Sequence, residues 1–442
     1  MSSLFIKNGT VVTLGKNNRI IENGAVLIEN NMIKKIGKES DFKNLQKNTE
    51  LLDAKGKLIM PGFINNHMHL YSTFARGIMP KQPPAENFVQ ILERLWWPLD
   101  NALNEKDIYY SSIVPIMNGI KAGTTTFFDH HESQSLQIGS LDIIERAMRE
   151  AGMRGSLSLG LSDRYGKGKD GIKENIRFIE KISKTNDGLI DAMFALHAAF
   201  TVNENSLKES SEAAKSLGVG FHIHTAEDMA DQVVNKEKYG KSVVKRLFDA
   251  GCYGKRSLAI HCVHLSNEEI DILASSETPI IHIPQSNMNN AVGVADVLKY
   301  MAKGILVGLG TDGMTPCMVD DVRVANILHK LNKKDPRVFF CESCKLLLEN
   351  NAEIASRHFK KGVGVIEEGK LADVIVVDYN PPTPLTENTF YGHFLFGICE
   401  AVVDTTIING KVVMKNREFT ALDESKILAE SRVQAADFWK RF

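Results

Sequence analysis

The sequence is poor in every feature that would mark a specialised class of protein. Its 442 residues hold six cysteines, Cys252, Cys262, Cys317, Cys341, Cys344 and Cys399. That is too few for a disulfide scaffold at this length. Neither charge is in excess: 53 Lys and Arg stand against 54 Asp and Glu, a net charge of −1. A nucleic-acid backbone calls for a net basic surface, so no nucleic-acid partner is expected. No run of about 18 apolar residues occurs, so no membrane partner or spanning helix is expected. The opening residues lack an apolar run and a small-residue cleavage site, which makes the cytoplasm the expected location. Fixed-period repeats and low-complexity tracts are also missing. What is there is ordinary: 43% hydrophobic and 24% charged residues, the balance of a globular chain long enough to bury a sizeable core.

The two ends resemble each other and differ from the middle. Residues 4–14 and 25–37 read as strands separated by the turn residues Gly15, Lys16, Asn17 and Asn18, and residues 371–378 and 401–414 have the same texture. Both ends are therefore expected to build one small β domain, over 1–57 and 369–422. Two separate β appendages are the alternative. The middle, 58–368, alternates short apolar runs with helical patterns, the signature of a parallel sheet. Eight strand candidates can be counted: Leu58–Asn65, Thr124–Asp129, Gly155–Gly160, Ala192–Leu196, Val219–His224, Leu258–Cys262, Pro279–Ile283 and Ile305–Gly310. Eight units suggest a closed (β/α)8 TIM barrel of the α/β class, with its chemistry where the strands end. Residues 423–442 read as a surface-packed helix.

The histidines fall at those strand ends. His67 and His69 follow strand one, and residues i and i+2 of an extended segment point the same way. His222 and His224 end strand five, His261 ends strand six, and Asp312 follows strand eight. A lone His reads as a hydrogen-bonded structural residue; this constellation reads as a metal site. Nitrogen and oxygen ligands without thiolates suit Zn, Fe or Mn. A carboxylate beside the ion can then take and deliver protons.

The segment from Gly56 to His69, His222-Ile-His-Thr-Ala-Glu227, Ala259-Ile-His-Cys-Val-His-Leu265 and Gly310-Thr-Asp-Gly313 resemble, in order, the motifs of the amidohydrolase superfamily. The resemblance covers the chain, terminal β segments included. It is strongest to the cytosine-deaminase and chlorohydrolase-like branch, and within it to the aminohydrolases called SsnA. It rests there on Tyr71–Met79, Leu95–Asp100, Asp129-His130-His131 and Gln285–Asn290. The resemblance implies one divalent metal, Zn before Fe, held by His67, His69, His224 and Asp312. It implies that Asp312 accepts a proton from water, that Glu227 passes it to the substrate, and that His261 hydrogen-bonds the developing oxygen. His222 is expected to support a ligand rather than be one. Binuclear relatives carry a Lys at the end of strand four, where this chain has Ala192-Met-Phe-Ala-Leu-His197, so one ion is expected. His197 matches a substrate-contacting His of the branch.

His130, His131 and Asn287 are further expected substrate contacts, with loop structure as the alternative for the histidines. Trp96 and Trp97 follow the loop 78–94; they offer a flat wall for a heterocycle or, equally in kind, a piece of core. The expected activity is a deaminase acting on an sp² carbon of a purine- or pyrimidine-like ring. Opening of a cyclic amide, or displacement of chloride, could use the same residues. A catalytically dead binding protein would lack ligands, and none is missing. The small heterocycle is the expected partner, and relatives often form homodimers.

Four other patterns lead elsewhere and are weaker. Gly308, Gly310 and Gly313 spell a dinucleotide fingerprint, but across strand eight and Asp312. Gly240-Lys241-Ser242 ends like a phosphate-binding loop, yet its required earlier glycine is Asn235. His130-His131-Glu132 fits the other zinc deaminase class, which also needs P-C-x-x-C; Pro316-Cys317 is followed by Met318, Val319 and Asp320. Cys341 and Cys344 form a single C-x-x-C without the second pair of a zinc ribbon.

Overall fold

The computed structural model describes residues 2–15, 17–185 and 187–442; of the turn expected over 15–18, Lys16 lies outside the described residues. Eight strands run in sequence order around a parallel sheet. They are Phe63–Met68, Thr124–His131, Arg154–Leu161, Phe194–Ala198, Phe221–Thr225, Leu258–His261, Ile280–His282 and Val307–Leu309. Strand eight returns to strand one through a parallel bridge between Met68 and Asp312. The Thr311 and Asp312 amides both donate to the His67 carbonyl, at 2.9 and 3.1 Å. The sheet is thus a (β/α)8 barrel, with helices covering it outside.

Gly310 makes this closure possible. A Cβ there would lie 2.8 Å from the His67 carbonyl oxygen and 2.9 Å from its Cβ and nitrogen. The three glycines that mimic a dinucleotide motif therefore include one whose task is close approach of two strands.

The termini form one sheet of nine strands. Ser3–Val12, Ile20–Glu29, Met32–Lys38 and Glu50–Asp53 come from the N-terminal side; Val374–Asp378, Val402–Ile408, Lys411–Lys415 and Glu418–Phe419 come from the C-terminal side. The single strands expected over 25–37 and 401–414 are hairpins. The second turns at Asn409-Gly410, with φ of 52° and 74°, the left-handed pair that a tight hairpin needs. Leu58–Pro61 joins the two groups: it runs parallel to Ser3–Val12 and antiparallel to Val374–Asp378. The strand expected over Leu58–Asn65 is therefore two strands, parted at Gly62, and only the second belongs to the barrel. A continuous apolar run carries no mark of which sheet it joins.

This sheet has its own core, with Ile6, Val26, Ile28, Ile59, Val374 and Ile407 among its buried members. It is tied to the barrel by a bidentate pair, Arg154 to Asp373, both fully buried, at 2.5 and 2.9 Å. The last helix spans Glu424–Arg441, capped by Asp423. No described helix is long and apolar enough to cross a membrane. All six cysteines are free thiols.

Candidate active site

Backbone geometry at the barrel mouth yields to side-chain placement. Ala226, His261, Cys262 and Asp312 all take left-handed φ, from 47° to 67°, a conformation uncommon outside glycine. They sit at or just past the ends of strands five, six and eight.

Hydrogen bonds determine which nitrogen each imidazole offers. His69 Nδ1 lies 2.5 Å from the His130 carbonyl oxygen, and His224 Nδ1 lies 2.6 Å from that of His197. A carbonyl only accepts, so both Nδ1 atoms carry the proton and point Nε2 into the barrel mouth. The two Nε2 atoms are 3.2 Å apart. His67 is held through Nδ1, 2.8 Å from His222 Nε2, and its buried Nε2 has no partner among the described residues. Asp312 Oδ1 stands 3.1 Å from His69 Nε2 and 3.7 Å from His67 Nε2.

These separations match a metal site. A tetrahedron with bonds of about 2.0–2.1 Å has edges of about 3.3 Å. Three imidazole nitrogens and one carboxylate oxygen thus fit a divalent cation. Burial works against protonating His69, yet the hydrogen bond and charge of Asp312 hold it up at about 9. Burial pulls His67 down to about 3, so it stays a neutral donor.

Two more groups face the same point. His261 Nδ1 is 2.8 Å from the Asn287 side-chain oxygen, and its Nε2 is 3.4 Å from Glu227 Oε2 and 3.8 Å from Asp312 Oδ2. Burial, then the charge of Asp312, raises the Glu227 carboxyl well above its usual range, while a hydrogen bond from Asn290 at 3.3 Å opposes the rise. Ser286 donates to Asp312 Oδ2 at 2.6 Å.

Above them opens a cavity walled by His69, His197, His224, Glu227, His261 and Asp312 and roofed by Phe88, Leu92, Trp96, Trp97, Phe200 and Met314. The roof is helical from Phe88 onward, where a loop to residue 94 was expected. Pro98 cannot donate to the Arg94 carbonyl. The helix widens just before it, and the Trp97 amide bonds five residues back to Leu92. Both tryptophans reach the cavity from this wide turn.

Three expected substrate contacts lie off the cavity wall. Asn287 is fully buried behind His261 and holds that ring. His130 bonds through Nε2 to the Leu196 carbonyl at 3.1 Å. His131, the next residue of the strand, turns to the opposite face and packs edge-on against Tyr71. His197 does line the cavity, with Nδ1 2.8 Å from the Thr201 hydroxyl. Ser286, Asn290 and Glu132 were not expected. Ser286 and Asn290 are four apart in a helical turn and so share a face, a signal present in the run Gln285–Asn290.

The barrel, its terminal sheet and this mouth define the class: the chain belongs to the amidohydrolase family, whose model matches residues 58–413. Within the family it is 33% identical, over 98% of each chain, to a 5-methylthioadenosine/S-adenosylhomocysteine deaminase of Pelotomaculum thermopropionicum. It is 34% identical, over 100% of its length and 99% of the relative's, to a 5'-deoxyadenosine deaminase of Methanosarcina acetivorans. Among solved structures it is similar in fold to a zinc-bound adenosine deaminase from Xanthomonas campestris, with a TM-score of 0.86 and 22% identity over 100% and 99% of the two chains.

Proposed function

We propose that the chain is a metal-dependent aminohydrolase that releases ammonia from an aminated purine-type ring, an adenosine-derived nucleoside before a free base. The carrying observation is the gathering of the Nε2 atoms of His67, His69 and His224 and of Asp312 Oδ1 at one mouth that Glu227 and His261 also face. The relatives named for deamination of adenosine derivatives support the ring class.

His67, His69, His224 and Asp312 would hold one ion, zinc rather than iron given nitrogen and oxygen donors at tetrahedral spacing. Such an ion supplies Lewis acidity that makes water a nucleophile near neutral pH. Asp312 accepts the proton that water gives up. Glu227, kept protonated by burial, hands its proton to the ring nitrogen; the leaving amine takes the proton held by Asp312, and the hydroxyl proton lost as the carbonyl forms restores Glu227. His261, fixed by Asn287, hydrogen-bonds the oxygen as it bonds to the ring carbon. The aromatic roof stacks on the heterocycle and excludes water.

The test pairs metal content with product. Plasma emission should find one zinc per chain. Metal-loaded protein should release ammonia from adenosine, 5'-deoxyadenosine or methylthioadenosine, and Glu227→Gln should lower kcat by about 10²- to 10⁴-fold. Bound zinc with no ammonia from any aminated ring would overturn the reaction and leave the metal site standing.

A further inference from the structure

Glu132 has no part in the chemistry above, yet it lies on the cavity wall. It follows barrel strand two and is 3% exposed. Its Oε2 accepts from Arg164 Nη2 at 2.9 Å, and the same nitrogen donates to Asp100 Oδ2 at 2.9 Å. Arg164 in turn lies over the Trp97 ring, 4.7 Å from its centroid. The carboxylate is therefore held in one orientation by a cation that is itself held. Its other oxygen is free. Glu132 Oε1 is 3.6 Å from His197 Nε2 and 3.9 Å from His130 Nδ1, both beyond hydrogen-bond reach. A buried carboxylate with an unused acceptor is costly unless a ligand completes it.

The charge of the wall points the same way. With Glu227 protonated, it still carries Asp312, Glu132, Asp228 and Asp231, and no lysine or arginine is among its described lining residues. Arg164 sits behind Glu132, engaged by two carboxylates. Away from the residues that would hold the metal, no lining side chain among the described residues offers a cation to an anionic substituent.

We propose that Glu132 selects the substrate: it accepts a hydrogen bond from an N–H or O–H group of the heterocycle or its sugar, and the acidic wall turns away phosphorylated or carboxylated compounds. This rests on the aminohydrolase reading and narrows it to uncharged or cationic bases and nucleosides. It also sets the chain apart from a relative named for S-adenosylhomocysteine, which carries a carboxylate.

Binding tests this separately from turnover. Metal-loaded Glu227→Gln protein is titrated by calorimetry with adenosine, 2',3'-dideoxyadenosine, guanine, adenosine monophosphate and S-adenosylhomocysteine, alone and with Glu132→Gln added. Gln keeps an acceptor for Arg164 and removes the charge. Adenosine or guanine should bind about 100-fold more tightly than adenosine monophosphate, and also more tightly than the carboxylate-bearing zwitterion S-adenosylhomocysteine. Glu132→Gln should weaken that binding about 10-fold and narrow the gap. Weakening confined to adenosine, and absent with the dideoxy compound, assigns the donor to the sugar; weakening with guanine assigns it to the ring. Should Glu132→Gln fail to fold, Glu132→Asp keeps the charge and shortens the reach, and should lose the donor contact while still excluding phosphate. Equal binding of adenosine and its monophosphate, unchanged constants after Glu132→Gln, or no binding of any uncharged compound would overturn the proposal. Ammonia release enters none of these readouts, so its absence would count against the reaction alone.

Discussion

Ser286 gives its hydroxyl proton to Asp312 Oδ2 at 2.6 Å, which leaves Oδ1 of the same carboxylate among the imidazoles. One carboxylate thus has two differently occupied oxygens: one beside the nitrogens proposed as metal ligands, one tuned by a hydroxyl. Removing the hydroxyl should raise the basicity of Oδ2 and loosen its aim. Ser286→Ala is expected to keep its metal and lose about 10-fold in kcat with KM little changed. Steady-state kinetics alongside metal analysis checks both halves; loss of metal instead would make Ser286 a support for ligation.

His222 grips His67 from behind, Nε2 to Nδ1 at 2.8 Å. Its own Nδ1 turns to the Ser158 hydroxyl at 3.5 Å. This chain sets the tautomer that leaves His67 Nε2 free. His222→Leu should weaken zinc affinity by about 10- to 100-fold. Competition with a chromogenic chelator measures it directly.

Gly310→Ala places a methyl group 2.8 Å from the His67 carbonyl oxygen. Backbone on both sides prevents an easy escape. The expected cost is about 1–3 kcal/mol of stability, with His67 displaced and metal content reduced. Chemical denaturation and plasma emission on the same preparation test the coupling: a variant destabilised but fully loaded would show that strand eight shifts without His67.

Asp321, which is not among the residues lining the cavity, supplies a pH signature of its own. Burial pushes its carboxyl up to about 8, against the hydrogen bonds it accepts from Gln285. The folded protein therefore holds this proton more tightly than the unfolded chain, where Asp titrates near about 3.9. The stabilising contribution is full below the unfolded value and is lost as pH rises through about 8. The melting midpoint should fall more steeply between pH 6 and 9 in the native sequence than in Asp321→Asn. Parallel profiles would remove Asp321 from the account.

Strand periodicity and turn residues carried most of the fold, because each barrel strand is short, apolar and bounded. They could not say that Leu58–Pro61 changes sheets, since burial on both faces looks alike in either sheet. Around the cavity, residues at strand ends were legible because a barrel brings all strand ends to one mouth. His130 and His131 show the limit: neighbours on a strand face opposite ways, so both could never reach a single cavity. Asn287 was singled out for substrate and is engaged by His261 instead. Ser286 and Asn290 were marked only by their helical spacing, and Glu132 carried no periodic signal, because its partner Arg164 is set by folding and not by spacing.

The strand Leu58–Pro61 has its partner on one side in Val374–Asp378, more than 300 residues later. During synthesis the first strands must therefore wait, with one edge unpaired, until the barrel and the strand after it have emerged. Closing a loop of that length adds little entropy for each further residue, but an open edge invites pairing with other chains. Newborn chains halted before residue 374 should be the aggregation-prone species, and the barrel acts as the clasp that brings the two halves of the sheet together.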